Sequence, residues 1–253
     1  MRIKEIKDFR GYSLKYGKNI LKLIKLDKKF YEFEKFQLVN SKDKNIYDLF
    51  GEKFYSFVKK NKIIIVTENS ERDRNQNKFM KTSGLKIKYA KQLFSRNLRD
   101  FRSNYKDIFE YRSPGELGLL KFFRIYKNSV EDPIIKYEQF QIFFKKMKKL
   151  ARNVYDINNW KVVSLNKVNI GVVMPHVFPE NPEQGTLWDI GLKPRYRGKG
   201  HGRIMHAGGL ELLKQMGVKK YAGSTRTTNH AMLRVFELNG CKKWFLRYFF
   251  YAE

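Results

Sequence analysis

The stretch RYRGKGHGR, Arg195–Arg203, decides how this chain folds and what it can hold. An apolar strand pattern, Thr186, Leu187, Trp188, Ile190 and Leu192, enters it through Pro194. A helical pattern, Ile204, Met205, Ala207, Leu210, Leu212, Leu213 and Met216, leaves it. Gly198, Gly200 and Gly202 allow positive φ and a close approach of ligand to backbone. A helix starting here leaves its first amide N–H groups without intrahelical partners, and its dipole adds partial positive charge. With Arg195, Arg197 and Arg203 alongside, the turn is a cradle for phosphate. Two common phosphate patterns do not fit. A P-loop needs Ser or Thr after its Gly-Lys, which Gly198-Lys199 lacks, and GxGxxG would need glycine where Arg203 stands.

The loop resembles instead the pyrophosphate loop of the GNAT superfamily of N-acetyltransferases, [QR]-x-x-G-x-[GA], with Arg197, Gly200 and Gly202 in place. LWDIGLKP resembles that family's preceding strand. A second match, TTNHAMLRVFELNGCKKW (Thr227–Trp244), resembles its later helix, with Asn229, Met232, Phe236, Gly240 and Cys241 at the pattern positions. VKKYAGSTR supplies a strand of suitable length between the two.

The resemblance implies an α/β (α+β) fold with a mixed central sheet and a binding site for acetyl-CoA or another acyl-CoA. It assigns the pyrophosphate to loop amides and side chains at Arg197, Gly198, Lys199, Gly200, His201, Gly202 and Arg203. Backbone groups around Ile190 and Leu192 would pair with the pantetheine arm, in a splay between the fourth and fifth strands. Asn229 would bond to the cofactor, and Phe236 would lie beside it. The implied reaction is N-acyl transfer to a primary amine, with a small-molecule amine as the favoured acceptor. Asp189, an acid in an apolar strand, is the first choice for base or amine anchor, against a purely structural role. His176 is the alternative base, against a plain surface histidine at a strand end. Phe236 departs from the pattern, because many members carry a proton-donating tyrosine there. Tyr221, Tyr248, Tyr251 or water could substitute, or the chain could be an acyl-CoA sensor without catalysis. His201 and His206, five apart, do not share a helical face, so no metal site is expected. Cys241 reads as core and His230 as helix surface.

At 253 residues the chain suggests a degenerate or accessory domain over 1–104 and the acyl-CoA-binding domain over 105–253. One cysteine excludes an intramolecular disulfide framework. No signal-type apolar run opens the chain and no long apolar stretch follows, so a cytoplasmic protein without membrane association is expected. The net charge of +28 raises a nucleic-acid partner or nucleic-acid modification as an alternative. Its even spread, without basic tails or blocks, favours a lysine-rich composition bias instead. The oligomeric state stays open.

In the N-terminal part, KFYEFEKF reads as a period-two strand, Asn45–Lys60 as an amphipathic helix and Lys62–Val66 as a buried strand. Thr67–Asn77 reads as a polar loop, followed by a short helix ended by Gly84 and then a strand. This order repeats the C-terminal half in outline, with Asn77 in the place of Asn229 and a helix one turn shorter. No glycine loop precedes the first helix, so any phosphate site in this copy is lost. Arg99–Asp107 reads as the boundary and Ile108–Arg112 as a strand. Ser113 to Glu116 forms a capping-box pattern, and a helix with an aromatic stripe opens at Asp132-Pro133. Trp160–Leu165 and Asn169–Phe178 form a hairpin turning at Asn166-Lys167, and PENPEQG is a loop.

Overall fold

The computed structural model describes residues 4–8, 11–26, 29–38, 44–71, 73–103, 105, 108–131, 133–150 and 159–253. The protein is a mixed α/β structure in two compact units. The first comprises Met1–Leu93, Arg226–Thr228 and Trp244–Glu253; the second comprises Phe94–Thr225 and Asn229–Lys243. The C-terminal strand belongs largely to the first unit, where it pairs with that unit's sheet. Among the described residues, no helix is long and apolar enough to cross a membrane.

The first unit opens with an antiparallel meander, β1 (Lys4–Asp8), β2 (Gly11–Tyr16), β3 (Asn19–Lys25) and β4 (Phe30–Gln37). Then come α1 (Lys44–Asn61), β5 (Ile64–Glu68), α2 (Arg74–Thr82) and β6 (Lys86–Asn97), of which the part through Leu93 belongs to this unit and the rest to the second. The C-terminal strand β12 (Lys242–Tyr251) pairs antiparallel with β5. In α1, Ile46, Phe50, Phe54, Phe57 and Val58 form the buried stripe, packed with Leu14, Leu21, Leu23, Ile65, Phe79 and Phe250. The alternation expected in β4 is broken by a bulge: Lys22 pairs with Lys35 but Leu23 with Phe33, leaving Glu34 extra. The bulge brings Phe33 and Phe36 onto one core face, rings 5.3 Å apart, where strict alternation would separate them.

The second unit contains β7 (Glu110–Arg112), α3 (Pro114–Leu117), α4 (Leu119–Lys127) and α5 (Tyr137–Leu150). It continues with β8 (Lys161–Leu165), β9 (Val168–Phe178), β10 (Asn181–Leu192), α6 (His201–Gln215), β11 (Lys220–Arg226) and α7 (His230–Leu238). The sheet order is β11-β10-β9-β8-β7, with β11 parallel to β10 and the other pairs antiparallel. The capping box forms: Glu116 N donates to Ser113 Oγ (3.2 Å) and Ser113 N to Glu116 Oε2 (2.6 Å). The β8–β9 hairpin turns on Asn166 (φ 48°) and Lys167 (φ 64°), the pair of positive angles a tight right-twisted hairpin requires. Asn181–Gly185 is strand, not loop; only Pro179-Glu180 forms the turn, because β10 pairs from Asn181 with Phe178. The helix expected from Asp132-Pro133 starts at Tyr137, and Asp132 itself lies outside the described residues. Its aromatic stripe is core, with Phe140 packed among Phe122, Phe123, Tyr126 and Trp160. One face of the sheet carries α6 and α7, the other α4 and α5.

The two halves repeat with a fixed interval. Met80 and Phe236, Gly84 and Gly240, Leu85 and Cys241, and Lys86 and Lys242 are each 156 residues apart. Gly84 and Gly240 both take left-handed φ, 84° and 67°. Leu85 N donates to Met80 O (3.0 Å) as Cys241 N donates to Phe236 O (2.9 Å). The residue that starts α2 is Asp73, not Asn77, and α2 and α7 are both nine residues long. Asn77 lies inside α2, where Thr67 Oγ1 donates to its side chain (2.5 Å) and its amide donates to Glu68 O (2.8 Å). The N-terminal half thus resembles a second copy of the fold, with no helix shortened.

Candidate functional site

The site is built on β10. Its pairing with β11 is confined to Gln184–Lys220 and Gly185–Tyr221; beyond these pairs the two strands run on to Leu192 and Arg226 without pairing to each other. Parallel strands that part leave an open backbone edge on each, which must bond to something else. On its other side β10 pairs Leu187 with Pro175 but Ile190 with Val173, so one residue is extra. This bulge lies at Trp188 and Asp189 and turns both toward the α4–α5 side, where Trp188 meets Phe143 and Asp189 meets Tyr126. Tyr126 is buried on α4; burial, and then the Asp189 carboxylate beside it, push its phenol up to about 12. It stays protonated at neutral pH and donates to Asp189, while its oxygen accepts from Ile134 N (3.3 Å). His176 faces Trp188 at 5.4 Å and is buried, not the surface residue at a strand end. Burial lowers its pKa, so the ring is neutral at pH 7.

The loop follows at once. Pro194–Tyr196 forms a single 3-10 turn, Gly198 and Gly200 take φ of 76° and 81°, and α6 begins at His201 with no side chain capping it. Gly202 has an ordinary helical φ, so two of the three glycines, not all, meet a left-handed requirement. A Cβ at Gly198 or Gly200 would meet nothing within 4 Å among the described residues, so they leave the space above the loop open. Arg197 is spent on the scaffold: Nε donates to Leu192 O (2.9 Å) and Nη2 to Ser129 O (3.2 Å). This ties the end of β10 to the segment after α4. Lys193, Arg195, Lys199 and Arg203 supply the remaining positive charge. Burial, and then Arg195, lowers the Lys193 pKa. His201 Nδ1 and Arg203 Nε are buried without a hydrogen-bond partner among the described residues, the His201 ring lying against Phe109 and Tyr196 and the Arg203 guanidinium over Tyr105.

Asn229 and Phe236 both have partners within the protein. Asn229 caps α7, its Oδ1 accepting from Met232 N (3.0 Å), and its amide donates to Glu131 Oε2 (3.2 Å). Phe236 is 1% exposed and stacked on Phe94 with centroids 4.4 Å apart; it is core, with no ring face left for a cofactor. Tyr221 is equally buried, while Tyr248 and Tyr251 lie on β12 in the first unit. Cys241 is buried and His230 exposed, as read from sequence. Among the described residues no cluster of His, Cys, Asp or Glu could hold a metal. Tyr126, Ser129 and Glu131 escaped the sequence reading. The capping box upstream starts α3 and does not say which face of α4 meets β10.

Residues 127–240 match the family model described as the acetyltransferase (GNAT) family. No protein of curated function matches by sequence. Solved structures match the fold. A GCN5-related N-acetyltransferase from Sphaerobacter thermophilus has a TM-score of 0.69 and 9% identity, over 95% of this chain and 79% of that one. A GNAT-family acetyltransferase from Colwellia psychrerythraea gives 0.61 and 11%, over 100% of both chains. A tandem GNAT protein from the clavulanic acid biosynthesis pathway gives 0.60 and 12%, over 96% of this chain and 82% of that one. With the loop, the bulged strand and the parted strands in place, residues 127–240 form a domain of the GNAT acetyltransferase family, preceded by a half that resembles a second copy.

Proposed function

We propose that the second unit transfers an acyl group, acetyl in the simplest case, from acyl-CoA to a primary amine on a small molecule. The observation that carries this is the opening between β10 and β11, which leads to an uncapped helix N-terminus. The residues present fit the cofactor. Left-handed Gly198 and Gly200 turn the loop toward open space, and the first amides of α6 with Lys199 and Arg203 suit a pyrophosphate. The unpaired edge of β10 at Ile190 to Leu192 offers backbone groups to an amide-bearing arm. When bound, acyl-CoA supplies a thioester-activated acyl group.

The chain's own residues would then orient the amine and move its proton. Asp189 presents a carboxylate at the bulge and, held by the Tyr126 hydroxyl, anchors an ammonium and draws off its proton. His176, neutral but sealed behind Trp188, is the poorer base. Phe236 lacks a hydroxyl, but as a core residue it carries no argument against catalysis.

Amine-dependent release of free thiol from acetyl-CoA tests the proposal. Asp189→Asn should lower turnover by about 10²–10⁴-fold while CoA affinity stays within about twofold. Undiminished turnover would remove Asp189 from the reaction, and thiol release that ignores added amine would remove the amine acceptor.

A further inference from the structure

We infer that Asn239 is a positioning residue that fixes the distance between the phosphate cradle and the point where β10 and β11 part, so that one cofactor can engage both. The inference rests on the proposed reading of the α6 N-terminus. Asn239 closes α7 and is buried. Its Nδ2 donates to Arg203 O (3.0 Å) and to His206 Nδ1 (2.9 Å). A backbone carbonyl can only accept, so Arg203 O fixes which way the amide points, and each of its two hydrogens has a partner. His206 therefore accepts at Nδ1 and carries its proton on Nε2, which donates to the Tyr221 hydroxyl (3.3 Å). Tyr221 belongs to the last residue pair before the two strands separate. Arg203 sits in the first turn of α6, its amide donating to Gly200 O (3.1 Å). One side chain thus links the turn that follows Gly200 to the apex of the opening. The clamp is itself held, since Arg96 Nη1 donates to the Asn239 backbone carbonyl. The sequence pattern names Asn229 and Gly240 but passes over Asn239, which touches neither cofactor nor acceptor in this reading.

Asn239→Asp separates this role from a structural one. A carboxylate has no hydrogen for Arg203 O, so that link is lost and two acceptors face each other. His206 can still be satisfied by moving its proton to Nδ1 and accepting from Tyr221, so the core remains bonded. The affinity for CoA should fall by about tenfold, the worth of one buried hydrogen bond. The kcat at saturating acetyl-CoA should hold within about twofold, and kinetics with S-acetyl-pantetheine, which lacks the nucleotide, should not change. Nitrogen NMR should show the Nε2–H tautomer of His206 in the wild type and Nδ1–H in the variant. If Asn239→Asp loses cooperative unfolding, Asn239→Ser, too short to reach Arg203 O and uncharged, gives the same kinetic readout. Equal losses with both donors, unchanged CoA affinity, or Nδ1–H in the wild type would overturn the positioning role. Wild-type protein that binds no CoA would be a different failure, that of the site reading beneath it.

Discussion

Acid should destabilise the second unit through His206, by an amount the structure sets. The imidazole is wholly enclosed; burial, and then the Arg96 charge, lower its pKa from 6.5 to about 3. A group depressed in the folded state gives stability that is complete above the unfolded pKa and is lost as pH falls toward the folded one. Between pH 6.5 and about 3 the unfolded chain holds one proton more, so stability falls by about 1.4 kcal/mol per pH unit. At about pH 4.5 the loss relative to pH 7.5 is then roughly 3 kcal/mol. The assay is urea unfolding at both pH values for the wild type and His206→Gln, whose amide can still donate toward Tyr221 but does not titrate. Carboxylates and His176 titrate in both proteins and cancel in the comparison. The wild type should lose about 3 kcal/mol more than the variant. Equal losses would refute a buried, neutral His206 and the proton placement drawn from it.

Other outcomes follow from the same packing. Phe236→Tyr would place a hydroxyl in the layer formed by Phe94, Tyr221 and His206, so it should cost about 1–3 kcal/mol of stability in thermal unfolding and bring no gain in turnover. A faster enzyme with unchanged stability would show that this ring faces the reaction. The charge of +28 should give oligonucleotide binding that is weak, indifferent to sequence and strand number, and gone by about 0.2 M salt. Tight binding that survives such salt would support the nucleic-acid alternative.

The parts legible in the sequence were those with a local cause. Gly198 and Gly200 announce left-handed backbone, Gly240 and Gly84 end helices, and Asn166-Lys167 turns a hairpin; each is decided within a few residues. The elements misread were decided at long range. Phe33 and Phe36 share a face only because of the Glu34 bulge, which depends on pairing with β3. Asn181–Gly185 carries Pro182 and Gly185 and still extends β10, since β9 pairs with its two ends and β11 with Gln184 and Gly185. Asp73 was overlooked because Asn77 is the better match by residue type, although the 156-residue interval selects Asp73. Nothing in KKWFLRYFFY says that β12 joins β5, 179 residues away in the Arg247–Glu68 pair. The roles of Phe236, Arg197 and Asn229 were similarly hidden, because a family pattern fixes which residue stands at a place and the surrounding packing fixes what it touches.

The decisive property is acyl-CoA binding at the β10–β11 opening and the α6 N-terminus. Calorimetric titration of CoA into the wild type and into Gly200→Val tests this most directly. Gly200 sits at φ 81° with nothing within 4 Å of a Cβ, so valine costs strain without a clash. That strain, roughly 1–2 kcal/mol, should leave the protein folded by circular dichroism. Its methyl groups would occupy the space above the first amides of α6. The predicted result is saturable binding to the wild type and at least a tenfold loss, more than about 1.4 kcal/mol, in the folded variant. Equal affinity in the two proteins, or no binding to either, would contradict the account.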